Sequence, residues 1–288
     1  MASLGHIVVG MAAARAYAGR ATTRPTAAAM LFWAALSFLP DADVIGFPLG
    51  VRYEDAWGHR GATHSLVFAI ALGAVVGLAA PRFGRPMMRT GVVAALVVAS
   101  HALLDTLTDG GLGCALLWPF NLARYFAPWT PLPVSPIGLG YLSPYGLYVA
   151  AVEMVLFVPL LAYALGRLAG SSGARPVTLA VGTIIWLLVL WLLVGTDALR
   201  ERVAGVILRD DTQFTDQFSE TRLSSVAVGD TATDVQALLG WPFRELGSAE
   251  RPCWLYSRSP DQGYFRGRAV CFSNGRVTGV VRRWVKLE

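Results

Sequence analysis

The chain has 288 residues, 55% hydrophobic and 15% charged, with a mean hydropathy of +0.51 and a formal net charge of +5. A soluble domain carries roughly 25% charged residues, so this composition excludes an ordinary soluble protein and points to a membrane protein. The positive balance is mostly arginine in short loops, so no nucleic-acid partner is expected.

Apolar stretches cover residues 3–18, 22–39, 62–80, 90–104, 145–165 and 177–196. Each is close to the roughly 17–25 residues that cross a bilayer as a helix, and six spans are predicted. The first two contain Arg15 and Arg24 and are the weaker signals, open also to a short or partly re-entrant helix. Arginines set the topology. Arg15, Arg20 and Arg24 lie about the junction of spans one and two, Arg82, Arg85 and Arg89 between spans three and four, and Arg167 and Arg175 between spans five and six. All three loops fall on one side, which the positive-inside rule assigns to the cytoplasm. The opposite loops hold only Arg52, Arg60 and Arg124. The loops at 40–61 and 106–143 and the C-terminal region are therefore expected outside.

This topology gathers all four histidines at the outer ends of the first four spans. His6 opens span one; PDAD, with Asp41 and Asp43, follows span two; HRGATHS, with His59, Arg60 and His64, leads into span three. SHALLDTLTDGG closes span four and places His101 and Asp105 at i and i+4, on one helical face. Asp109 extends that face if the helix persists, although Gly110 and Gly111 suggest an earlier end. Imidazole and carboxylate are ligands for hard and borderline divalent ions. Ionisable groups this near hydrocarbon are expensive to place and point to function. Taken singly, each motif has a plain alternative, since an interfacial histidine is often only an anchor and an aspartate after a helix only a cap. Their convergence on one membrane face favours a metal site. Ser65 and Ser100 each adjoin a histidine, but helix neighbours point about 100° apart, so a Ser–His pair ranks below metal.

The order His6, PDAD, HRGATHS, HALLDTLTDGG and a downstream LLWPF resembles the YdjM-like family, described as LexA-binding, inner-membrane-associated, metal-dependent hydrolases. The resemblance covers about residues 1–165. It implies a multi-pass inner-membrane hydrolase with His6, Asp41, Asp43, His64, His101 and Asp105 as metal ligands. By the same resemblance, His59 and Arg60 support the site or contact substrate. The pattern more distantly resembles zinc-dependent phospholipase C, an all-helical phosphoesterase.

The expected chemistry is hydrolysis by metal-activated water. Asp41 or Asp43 would accept the proton, and Arg60 would neutralise a substrate phosphate. Mixed His and Asp ligands suit zinc, with manganese or iron as alternatives. Position at the lipid–water boundary favours a membrane-lipid or lipid-like substrate. Glu153, on the outer half of span five, is a further candidate ligand, with a hydrogen bond to a neighbouring helix as the equal alternative. The aromatic-rich loop at 106–143 either caps the site or forms an interfacial belt.

The C-terminal region reads as soluble. Residues 197–208 can extend the sixth helix, and a polar linker is expected over 197–222. Residues 223–288 then form a small α+β domain. VAVGDTATDVQALLGWPF offers a Thr231–Asp234 capping pair and a Gly240 stop. CWLYSRS, RGRAVCFS and RVTGVVRRWV read as strands, the last two joined by the hairpin signal Asn274–Gly275. A turn centred on Gln262 sets Cys253 and Cys271 opposite each other, nine residues to either side, within disulfide range in an oxidising compartment. Cys114 is left without a role. This region resembles the SmpA/OmlA lipoprotein domain of outer-membrane assembly, but lacks that domain's lipid-carrying cysteine.

The predicted fold is thus a membrane helical bundle, residues 1–196, followed by the small C-terminal domain. The leading functional expectation is a metal-dependent hydrolase with an outward-facing site. The alternative is a non-catalytic envelope scaffold with a structural metal and a protein partner for its tail. A surplus of candidate ligands and a free arginine favour catalysis. A transporter fits less well, because the ionisable residues cluster at one face instead of threading the midplane.

Overall fold

A computed structural model describes residues 3–19, 25–165, 176–194, 197–248, 251–261 and 263–285. The loop arginines Arg20, Arg24, Arg167 and Arg175, and the turn residue Gln262, lie outside these. The chain forms two compact units, Met1–Thr196 and Asp197–Glu288.

The first unit is helical. Helices α1 (Ser3–Ala18), α2 (Ala27–Phe38), α3 (Leu66–Ala79), α4 (Met87–Thr106), α5 (Pro144–Ala164) and α6 (Pro176–Val194) follow in order. Short hydroxyl caps start three of them. Thr26, Ser65 and Ser143 each accept a backbone N–H from the first turn of α2, α3 and α5, removing one orphan donor at each start. Four segments have the length and apolarity to cross a membrane: Ala27–Leu49, Leu66–Phe83, Met87–Thr106 and Pro144–Ala164. The six-span expectation is met only in part among the described residues. Helix α1 has 16 residues, short for a bilayer, and Gly182–Trp191 is the described apolar stretch of α6.

Helices α1, α2, α3 and α4 enclose a core of Trp33, Leu36, Ala69, Ala94, Val97 and Val98. Lipid gives no hydrophobic drive for helices to associate, so close approach through small residues takes its place. At Gly73 a Cβ would lie 2.6 Å from the Ala95 Cβ, so only glycine lets α3 and α4 come this close. Between α2 and α3 the chain runs through a 3-10 segment, Leu39–Leu49, which carries PDAD, and a second short one, Ala62–His64.

The second unit is α+β. Helix α7 (Asp197–Leu208) precedes strand β1 (Gln213–Phe214), helix α8 (Glu220–Ser224) and helix α9 (Ala232–Leu239). Strands β2 (Arg244–Ser248), β3 (Arg251–Leu255), β5 (Phe265–Ser273) and β6 (Arg276–Val285) form an antiparallel sheet in that order. The two-residue strand β4 (Ser257–Arg258) pairs with β1. The reciprocal Thr231–Asp234 capping box and the Gly240 stop bound α9 as the sequence predicts. Asn274 and Gly275 both take positive φ, 52° and 71°, at the β5–β6 turn. Val235 and Leu239 of α9 pack on Tyr256, Val270, Phe272 and Val277 of the sheet side.

Two expectations change here. The predicted linker is structured: Ala204 and Leu208 are buried, and α7 and α8 send Glu201 and Glu220 to Arg268 of β5. The sheet also gains β2, whose short sequence RELGS lacks apolar alternation.

Cys253 and Cys271 are register partners on β3 and β5 and are joined by a disulfide. The bond closes 18 residues. Loop-closure entropy for that length is worth about 3 kcal/mol. The Cys253→Ser/Cys271→Ser variant is therefore expected to lose about 3 kcal/mol of second-unit stability, read as the shift in denaturant midpoint. Reductant should act on the wild type and leave the variant unchanged.

Candidate metal centre

PDAD enters the 3-10 segment because Pro40 fits its first turn, and the segment ends at Gly50 with φ 86°. This carries Asp41 and Asp43 back toward α3 and α4. His64 stands just before the Ser65 cap of α3. His101 and Asp105 face the same place from the last turns of α4. All of these side chains, Asp43 included, are buried to 2% exposure or less.

Four of them converge. Asp41, His64, His101 and Asp105 each bring one ligand atom within 4.8 Å of all the others. The shorter separations are His64 Nε2 to His101 Nε2 at 3.1 Å, His101 Nε2 to Asp41 Oδ1 at 3.3 Å, His64 Nε2 to Asp41 Oδ1 at 3.5 Å and His64 Nε2 to Asp105 Oδ2 at 3.7 Å. Zinc bonds of 2.0–2.2 Å in tetrahedral arrangement require ligand–ligand edges of about 3.3–3.6 Å. The observed edges straddle that interval.

Outer partners aim the imidazoles. His101 Nδ1 donates to the Ser37 carbonyl at 2.8 Å, leaving Nε2 as the lone-pair nitrogen toward the cluster. His64 Nδ1 lies 3.0 Å from Thr63 Oγ1 and 3.3 Å from Asp43 Oδ2, so its Nε2 also points inward. Among the described residues, neither buried oxygen of Asp41 accepts a hydrogen bond. A buried carboxylate left so is costly unless a cation completes it. The donor set therefore fits a divalent ion.

A second group, Asp43, His59 and His64, is also close enough to share an ion. Its internal bonding argues for a brace instead. Asp43 Oδ1 is 2.7 Å from His59 Nδ1, and Oδ2 accepts from Thr63 Oγ1 at 2.8 Å and the Arg60 backbone N–H at 3.2 Å. Asp43 is thereby committed to holding HRGATHS together, and of the two aspartates expected to take a proton only Asp41 has oxygens to spare.

Three other assignments are corrected. Arg60 is not a free cation for substrate. It is fully buried, its Nε pairs with Asp105 Oδ2 at 2.9 Å, and its two Nη atoms donate to Gly110 O at 2.8 Å and Thr108 Oγ1 at 2.9 Å. Its backbone is held at φ 63°, a strained position for a side-chain-bearing residue. Glu153 is outside the cluster, because its Oε2 accepts the Leu4 and Gly5 backbone N–H groups at 2.7 and 3.2 Å. It anchors the first turn of α1, the neighbouring-helix alternative. His6, carried by that turn, flanks the cluster: its Nε2 lies 3.2 Å from Asp105 Oδ1 and its ring stacks on His101 at 3.7 Å.

The loop after α4 closes over this end. Helix α4 stops at Thr106, and Asp109 turns away to accept the Val134 N–H. Ala115 N–H donates to Arg60 O, and Leu66 N–H donates to Leu116 O. Gly111, at φ 85°, passes so near Tyr53 and Arg60 that a Cβ would lie 2.7 Å from the Tyr53 hydroxyl. Phe120 and Trp129 of this loop stay exposed, while Cys114 is buried and burial pushes its thiol up to about 12. A buried thiol in this state is a poor nucleophile, and among the described residues Cys114 is not one of the groups close enough to share an ion. The serines are also spoken for, since Ser65 Oγ donates to Ala62 O and Ser100 Oγ to Val97 O.

Sequence reasoning missed Thr63, Thr108, Arg124 and the Ser37 carbonyl. Arg124 donates to the carbonyls of His59, Tyr53 and Asp55 and so fixes the loop ahead of the histidine motif. Thr63 had a signal, being a short polar residue beside His64; a backbone carbonyl has none.

Comparison with known proteins meets the same part of the chain. The model of a family described as YdjM inner membrane protein matches residues 1–174. The inner membrane protein YbcI of Escherichia coli (strain K12) is 44% identical over 126 residues, 42% of this chain and 70% of that protein. No solved structure matches.

Proposed function

Because the chain belongs to the YdjM inner membrane protein family, we propose that it is a membrane-embedded metal-dependent hydrolase acting on an ester or phosphoester of a lipid-like substrate. The observation that carries this reading is the convergence of Asp41, His64, His101 and Asp105 on one point with near-tetrahedral edges. Zinc is the proposed ion, since two imidazoles and two carboxylates form a borderline donor set; the structural zinc sites of soluble domains favour cysteine. Bound there, a divalent ion supplies water activation near neutral pH and polarises a carbonyl or phosphoryl oxygen.

The chain's own groups do the rest. Asp41 Oδ2, free of hydrogen bonds among the described residues, is the proton acceptor. Arg60 and His6 hold Asp105 in place through its two oxygens. Thr63 and Ser37 fix the two imidazoles in one tautomer. The cluster lies where α2 and α4 end and α3 begins, at the edge of the apolar segments, which supports an amphiphilic substrate.

The centre is proposed to face the periplasm. Arg15, Arg82, Arg85 and Arg89 lie at the other ends of their helices, as the positive-inside rule expects for the cytoplasmic side. The disulfide of the second unit supports the same orientation. That unit exposes Trp241, 71% accessible, and an envelope protein is the partner proposed for it.

Complete burial of the ligands favours a second reading, a structural metal in a scaffold protein. Elemental analysis of detergent-purified protein, followed by chelator-sensitive hydrolysis of phospholipid, aryl phosphate and aryl ester substrates, separates the two. One ion per chain with chelator-sensitive turnover is the expected result. An ion without turnover moves the assignment to the scaffold, and no ion after reloading overturns both.

A further inference from the structure

The opposite end of the membrane unit carries a second feature, independent of the hydrolase reading. A cavity of about 390 Å³ opens between α2 and α3, floored by the buried Trp33 and walled by Phe32, Val75, Val76 and Phe83. Phe32, Val75 and Phe83 are exposed, so the slot is open on its outer side. Its rim is cationic. Arg85 lines it, Arg82 stands on the same turn, and neither guanidinium has an acidic partner among the described residues. Arg89 is engaged instead, donating to Tyr17 O at 2.6 Å with its guanidinium 4.8 Å above the Tyr17 ring.

The sequence accentuates this charge. No Asp or Glu occurs in residues 7–40 or 65–104, whose helices form the slot, and all the acidic residues of the first 196 lie outside those stretches, Asp41 and Asp105 at the metal centre. An apolar slot within membrane-spanning helices, rimmed by unpaired arginines and free of acid, has the complement of an anionic lipid: a chain for the slot and a phosphate for the rim. A soluble phosphate would leave the slot unused, and a lipid without net charge would leave the rim uncompensated.

We propose that this slot binds one anionic glycerophospholipid of the bilayer, its acyl chain between α2 and α3 and its phosphate at Arg85 and Arg82. The test is native mass spectrometry of the full chain in detergent, with phosphatidylglycerol and phosphatidylcholine of identical chains. The wild type is expected to retain phosphatidylglycerol in preference to phosphatidylcholine. The Arg82→Gln and Arg85→Gln variants should each weaken that retention about fivefold, the weight of one membrane-apposed cation. Val75→Trp, placed at an exposed position to fill the slot, should remove it without altering charge. Metal content should stay unchanged in all three. Equal retention of the two lipids by the wild type, or retention unaffected by the arginine variants or by Val75→Trp, would overturn the proposal.

Discussion

His101→Ala is expected to strip the divalent ion from the purified protein, and Thr63→Val to weaken its hold without abolishing it. The two differ because His101 supplies a ligand atom to the convergent set, whereas Thr63 only orients His64 through Nδ1. Loss of an outer partner costs about 10–100-fold in metal affinity. Removing one of four ligands should exceed that, and it also leaves Asp41 facing His64 alone among the imidazoles at its Oδ1 within 3.5 Å. Metal content per chain after gel filtration, with chelator competition for Thr63→Val, reads both. A thermal melt supplies the control: at an ion concentration 100 times Kd the wild type should gain about 2.7 kcal/mol, and His101→Ala nothing. If His101→Ala keeps the wild-type metal content, the ion is not held by these four residues, and the hydrolase reading of this site falls.

The sequence brought these residues together through a simple argument: helix ends alternate sides, so motifs one span apart share a face. That argument locates His64, His101, Asp41 and Asp105 without any side-chain geometry. It cannot rank them, and the errors follow from that. Arg60 looked free because a loop sequence does not reveal that Gly110, Thr108 and Asp105 will enclose it. Glu153 stayed open between a ligand and a hydrogen bond to a neighbouring helix, because the sequence shows an intramembrane charge but not the α1 N-terminus lying against it. Both residues satisfy a burial cost locally, as buried charges must. The α9 cap, the Asn274–Gly275 hairpin and the cysteine pairing were legible because each depends on local chemistry or symmetric spacing. Strand β1 and the structured segment before α8 were not, because their place is set by distant partners; β2 folds onto the adjacent β3, but RELGS has no apolar alternation to announce a strand.

Arg268 shows how such a distant partner organises the second unit, and Arg268→Ala is expected to destabilise that unit by about 3 kcal/mol. Its side chain is 2% exposed, with Nη2 at 2.6 and 2.7 Å from the two Glu201 oxygens and Nε at 2.7 Å from Glu220 Oε1. One guanidinium thus ties α7 and α8 to β5, across 67 and 48 residues of chain. Breaking a buried pair from one side costs about 3–5 kcal/mol because a charge is stranded. The lower figure applies here, since the Glu220 side chain is 47% exposed and Glu201 25%, and both can turn toward water. Limited proteolysis of the full-length protein in detergent reads the effect: opening of the unit should rise about a hundredfold. The decisive comparison is Arg268→Met with Glu201→Leu and Glu220→Leu, which removes all three charges at similar volume. If stranded charge is the cause, this variant should recover most of the loss. If it is as unstable as Arg268→Ala, the guanidinium's directed bonds, and not its charge balance, dock α7 and α8 on the sheet.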